Sequence, residues 1–169
     1  MDALRMWEHL MRDSNPPPQH AIEGARAAVE VGYAGDWARA EHLLVDSLGP
    51  LEATEAPQAA SANHNLAALL QERGDLEGAV FHAVRAVFLY NRSHDLGGIY
   101  CSLRNLAVVH ASRRETRLAT AAQHQASRAR RELELRGLLE QVESGCDARG
   151  ERLHMLGLDS ARSQGLRAV

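Results

Sequence analysis

The chain has 169 residues, enough for one domain with a continuous core. Its apolar content of 45% is carried mostly by Ala and Leu, with only 4% aromatics, which suits closely packed helices and argues against a sheet rich in Val, Ile, Thr and aromatic residues. A net charge of −3 exerts no global pull toward nucleic acid, no segment is long and apolar enough to span a bilayer, and Cys101 and Cys146 form neither a metal spacing nor a disulfide framework.

Residues 2–13 carry Leu4, Trp7, Leu10 and Met11 at helical spacing, which predicts a short amphipathic helix ended by Pro16-Pro17-Pro18. Helical periodicity returns from about His20 to Tyr33, and Ala34-Gly35-Asp36 breaks it, with Asp36 placed to cap a helix running to about Ser47. Gly49-Pro50 predicts the end of that helix, with a loop to Pro57. A helix from about Gln58 to Arg73 then ends at Gly74, and Asp75 caps the next, to about Asn91. His94–Gly98 reads as a break holding two glycines, followed by a helix over about 99–113. Arg114 stands where the earlier turns have glycine, so a tight turn tolerating a non-glycine residue and a continuous bent helix both fit. Helical composition continues to about Glu143, and the segment 147–166, interrupted by Gly150, Gly157 and Gly165, predicts a short capping helix and a frayed tail.

One pattern recurs at offsets of 39 and then 40 residues: Ala27-Ala28 with Gly35 and Ala40, then Leu66-Ala67 with Gly74, Ala79 and Ala86, then Leu106-Ala107 with Ala119 and Ala126. A repeat of this length is one helical hairpin that cannot bury its apolar face alone, so neighbouring copies must stack. The pattern resembles the tetratricopeptide repeat (TPR): a large then a small residue in the first helix, a glycine after it, and alanines early and late in the second. Shallow helix crossings need Ala or Gly where backbones come closest. Ser47 replaces the late alanine of the first copy, and the closing proline is missing, with Glu52, Asn91 and Arg131 in its places. The copies also exceed the usual repeat of about 34 residues, which predicts elongated second helices or longer inter-repeat loops. The resemblance covers roughly residues 20–131. It implies an all-α fold, an α-α superhelix of about three hairpins in one domain over 1–169, with an N-terminal helix in 1–15 and C-terminal helices and tail in 132–169.

The resemblance further implies that the first helix of each hairpin lines a concave groove. That maps Ala25 and Val29, then His64, Ala68 and Gln71, then Arg104, Val108 and Ala111 onto its inner face. Such a surface suits an apolar helix or extended peptide, with Arg104 pairing a carboxylate; the same face would equally be filled by the chain's own terminal helices. The basic members of a chaperone-type carboxylate clamp are missing, since the corresponding places hold Ala25, Val29, Asn65, Cys101 and Asn105.

Arginine supplies all the basic charge, as the chain has no lysine; residues 1–100 hold 14 acids against 7 arginines and residues 101–169 hold 8 against 12. Arg117, His124, Arg128 and Arg131 fall on one helix face as a basic stripe, a feature that binds phosphate or an acidic partner but lacks the interleaved aromatics of base stacking. Among the nine histidines, His42 with Asp46, joined by Glu41, is the nearest approach to a helical metal site, and it lacks a third ligand. No phosphate-cradling glycine loop, nucleophile elbow or paired-histidine zinc helix occurs. The expectation is a non-enzymatic interaction module without cofactor or metal. It would hold a peptide or helix of another protein, and self-association is the further partner expectation. Its setting would be the cytoplasm, in a bacterial regulatory, assembly or secretion system. The alternatives are a nucleic-acid-linked regulator using Arg117, Arg128 and Arg131, and a histidine-based metal or small-molecule sensor.

Overall fold

The computed structural model describes residues 18–144. The helices expected over 2–13 and 147–166 lie outside that range, as does Cys146. Among the described residues there are seven helices and no strand: α1 (Gln19–Tyr33), α2 (Trp37–Ala53), α3 (Gln58–Arg73), α4 (Leu76–Arg92), α5 (Leu96–Ser112), α6 (Thr116–Leu135) and the short α7 (Leu139–Ser144). They pack in adjacent pairs. The broadest contacts are α1 with α2, α3 with α4 and α5 with α6; α2 against α3 and α4 against α5 then join the pairs, and α1, α3 and α5 also touch in sequence.

All six connections among the described helices share one terminator. A residue of positive φ donates its N–H three residues back, and the next residue donates five residues back, as in Gly74 N to Gln71 O and Asp75 N to Leu70 O. This is the Schellman motif, which satisfies the last carbonyls of a helix and reverses the chain in two residues. Glycine fills the left-handed position at 35, 74 and 137, and Glu55, His94 and Arg114 fill it elsewhere, with φ of 50°, 56° and 61°. The third hairpin therefore has a tight turn at Arg114, not a bent helix. Side chains of Asp36, Asp75 and Asp95 then cap the following helices through Arg39 N, Gly78 N and Gly98 N at 3.1, 3.0 and 2.9 Å. A left-handed conformation costs a residue with a Cβ free energy that glycine avoids. Replacing the exposed His94 by Gly is therefore expected to stabilise the fold by about 1 kcal/mol, read as a higher urea midpoint at unchanged slope.

Three boundaries depart from the sequence reading. Helix α2 does not stop at Gly49-Pro50 but carries Pro50 inside it and ends at Ala53, because Leu51 is needed in the core and is fully buried there. Helix α5 begins at Leu96, three residues before the expected start, with Gly97 and Gly98 in its first turn. Those glycines are packing residues: a Cβ on Gly98 would lie 2.2 Å from the Tyr90 ring, and one on Gly97 would lie 3.0 Å from Val142. Helix α6 ends at Leu135, and Gly137 turns the chain into α7 instead of letting one helix run to Glu143. First helices of 15, 16 and 17 residues alternate with second helices of 17, 17 and 20, and the turns between them stay short.

The core is alanine-rich. Ala25, Ala28, Ala40, Ala62 and Ala79 let the helices approach closely, and Val29, Leu44, Leu51, Leu66, Leu69 and Val109 fill the space between them. Helix α3 is buried at every position from Ala59 to Leu70 although four of those twelve residues, Ser61, Asn63, His64 and Asn65, are polar. Buried polar groups require partners. Ser61 Oγ shares a 3.0 Å hydrogen bond with Tyr90 Oη, and His64 Nδ1 one of 3.0 Å with Ser102 Oγ on α5. Asn63 Nδ2 donates to Glu52 Oε1 at 3.0 Å and to Ala59 O at 2.9 Å.

Candidate functional site

The inner-face residues expected from the repeat register divide into three groups. Ala25, Val29, His64 and Ala68 are buried, which corrects their expected placement on an open groove. The physical reason is close packing of small side chains: Ala25 and Val29 belong to the core around Leu44 and Leu51, and the His64 ring is held against Ser102. Gln71 and Arg104 are half-buried, and only Val108, 49% exposed, and Ala111 are openly presented. The Arg104 guanidinium lies 5.5 Å from the centre of the Tyr100 ring, a cation–π contact that aligns it along α5. Tyr100 Oη donates in turn to Glu143 Oε1 at 3.3 Å, and burial pushes its phenol above the usual range against the opposing charge of Arg104.

The accessible part of the face forms a hollow of about 430 Å³ between α5 and α6, lined by Ala107, Val108, Ala111, Ala119, Thr120, Gln123, His124 and Ser127. Its origin follows from how the last pair is capped. Leu139 and Val142 of α7 pack on Tyr100, Cys101, Leu103, Ala126, Ala129 and Leu133, covering the first half of α5 and the second half of α6. The other halves carry small side chains of the kind that receive a neighbouring helix in the first two pairs. The hollow is apolar at its floor, through Ala107, Val108, Ala111 and Ala119, with Gln123 and His124 as polar handles.

Two groups of residues read separately from the sequence meet here. Val108 and Ala111 came from the expected groove and His124 from the basic stripe. The stripe itself is present: Arg117, His124, Arg128 and Arg131 are all exposed on α6, and the three arginines form no ion pair among the described residues. Their neighbours differ, since Arg130 reaches Glu134 at 3.5 Å and Arg136 reaches Glu132 at 2.8 Å. Sequence reasoning did not single out Ala107, Ala119, Thr120, Gln123 or Ser127 as a surface, although the repeat register marked Ala107 and Ala119 as small packing residues.

A second polar cluster joins the first two pairs. Glu52 on α2 accepts from Asn63 on α3 and, at 3.0 Å, from Arg85 Nε on α4, while His82 Nδ1 donates to Asn63 Oδ1 at 2.9 Å. Burial opposes ionisation of Glu52, but the Arg85 and Asn63 hydrogen bonds outweigh it and hold the carboxyl below its ordinary value. Burial holds the His82 imidazole below its ordinary value, against the opposing pull of the Glu52 charge. Every partner in this cluster is internal, and the arrangement ties α2, α3 and α4 together. At the α5–α6 turn Glu115 does similar work, accepting from His110 Nδ1 at 2.6 Å and Arg113 Nε at 2.9 Å. The His42–Asp46 pair is an exposed contact of 3.3 Å within α2, and among the described residues no three His, Cys, Asp or Glu side chains cluster as metal ligands. No helix among the described residues is long and apolar enough to cross a membrane. Compared with known proteins, the chain matches no family model, no curated protein and no solved structure.

Proposed function

We propose that this chain is a non-enzymatic protein-interaction module of the TPR type, which binds a helix or extended peptide of a partner protein in the α5–α6 hollow. The observation that carries the proposal is the small-residue floor of Ala107, Val108, Ala111 and Ala119 at the half of the last helical pair that no described helix covers. A stacked hairpin array leaves its terminal apolar face unsatisfied unless another helix covers it. The apolar i, i+3, i+4 positions of a partner helix would seat on the alanines and Val108. His124 lines the hollow, and Arg128, one helical turn further along α6, places a positive charge on the same face. An incoming helix with acidic flanks therefore fits better than a basic one.

The test is affinity capture with the full chain as bait, comparing wild type with Val108→Asp and with Ala111→Glu. Both positions are exposed, so the variants keep the fold, checked by thermal unfolding. A protein retained by wild type and reduced by about tenfold or more with both variants supports the reading, since a buried unpaired carboxylate costs more than one such factor. An identical captured set for all three baits would overturn it.

A further inference from the structure

The chain contains only two phenylalanines, and both stand on the surface of one helix. Phe81 is 66% exposed and Phe88 49%, and Val84 between them is 49% exposed. Large apolar side chains so placed are the signature of a surface that is covered in the working protein. The repeat does not require them. The equivalent positions are His42, Val45 and Gly49 in the first copy and Ala121, His124 and Arg128 in the third. The stripe is thus a property of α4 alone. Its rings are held in place from the sides: the Arg85 guanidinium lies 5.5 Å from the centre of Phe88, and the His82 ring meets Phe81 edge-on at 5.0 Å between centres.

The order of residues along this face identifies the occupant. Glu77, Phe81, Val84, Phe88 and Arg92 follow one another at spacings of 4, 3, 4 and 4, so they project from one side of α4, and all five are exposed. The series reads acid, aromatic, aliphatic, aromatic, base, and it is complementary to itself when reversed. We propose that α4 is a homodimer interface, in which two copies pack their α4 helices antiparallel about a twofold axis near Val84. Phe81 of each copy meets Phe88 of the other, the Val84 side chains meet at the centre, and Glu77 of each lies beside Arg92 of the other. Such an isologous contact uses the same patch twice and closes after two subunits. The stripe extends about 22 Å along the helix, which sets a modest interface centred on aromatic anchors. Arg85, near the axis, is already paired with Glu52 at 3.0 Å, so two copies bring together neutralised groups. Arg92 pairs with Glu55 at 3.0 Å in its own chain and keeps donors for a second carboxylate. None of these α4 residues lines the α5–α6 hollow, and the proposal does not depend on what that hollow binds.

Sedimentation equilibrium of the full chain over a hundredfold range of loading concentration tests the proposal. Wild type is expected to show a reversible rise from the 18.5 kDa chain mass to twice that value. Phe81→Glu combined with Phe88→Glu should raise the dimer dissociation constant by about a hundredfold or more while leaving thermal unfolding unchanged at loading concentrations where wild type too is monomeric. Glu77→Arg alone and Arg92→Glu alone should each weaken the dimer, and the two combined should restore it, because the pair is rebuilt with its signs exchanged. A wild-type chain that stays at the monomer mass throughout overturns the proposal. So does a dimer indifferent to the phenylalanine substitutions, which would place the contact elsewhere; a double charge exchange no better than the single changes would overturn the antiparallel register.

Discussion

Tyr90→Ala is expected to destabilise the protein by about 3–5 kcal/mol, a large part of the total stability of a domain this size. The ring is buried against Ala60 and Ala86, and its hydroxyl reaches Ser61 across the α3–α4 pair. The ring also lies against Gly98 in the first turn of α5, so one side chain touches three helices and joins the second pair to the third. Removing it leaves a cavity that helices anchored on both sides cannot close. The same contact predicts a reversal of sign at Gly98. In the wild-type background Gly98→Ala places a methyl group inside the ring and costs about 1–3 kcal/mol. With Tyr90→Ala already present the clash disappears, and the better helix propensity of alanine makes the same change favourable by about 1 kcal/mol. Urea unfolding of the four proteins in the cycle measures both terms. An equal effect of Gly98→Ala in both backgrounds would show that the glycine is a local turn residue and not a packing one.

The second large effect is expected at Leu51. If Gly49-Pro50 ended α2, Leu51 would be a loop residue and its replacement by Ala would change stability by no more than about 0.5 kcal/mol. In the structure the helix passes through Pro50, and Leu51 is fully buried in the same core cluster as Ala56, Ala59 and Leu66. Leu51→Ala is therefore expected to cost about 2–5 kcal/mol. Denaturant midpoints at equal slope distinguish these outcomes without ambiguity, because the two magnitudes do not overlap.

Proline in the interior of a helix normally forfeits a hydrogen bond and clashes with the preceding turn. At position 50 only the last turn of α2 follows it. That turn is closed by Thr54, whose N–H and hydroxyl donate to Pro50 O at 3.3 and 3.0 Å, and the hydroxyl also reaches Leu51 O at 3.3 Å. Burial of Leu51 decides the balance. Nothing local to Gly49-Pro50 reports this, since the core that receives Leu51 is built from residues on other helices.

The glycines show the same division. Gly35 and Gly74 mark turns in the sequence because a left-handed residue ending a helix is commonly glycine. Gly97 and Gly98 look no different along the chain, yet they sit inside a helix, where Val142 and Tyr90 need the space. Conversely, Glu55, His94 and Arg114 form the same left-handed turns without the residue that announces them. Caps were more legible: Asp36 and Asp75 were readable because each follows directly on a glycine, whereas Asp95 was hidden by the glycines after it.

The sequence by itself determined the helical class, the spacing of about one turn per twenty residues, and most of the small residues that lie buried between helices, such as Ala28, Ala40, Ala67, Ala79, Ala86 and Ala126. These are local or periodic properties, and a chain carries them without knowing its partners. The tertiary structure alone decided that Ala25, Val29, His64 and Ala68 are packed inside while Val108, Ala111 and His124 share an open hollow. It also decided that both phenylalanines face outward on α4. Burial depends on which helices approach from other parts of the chain, and an amphipathic period identifies a face without naming what covers it.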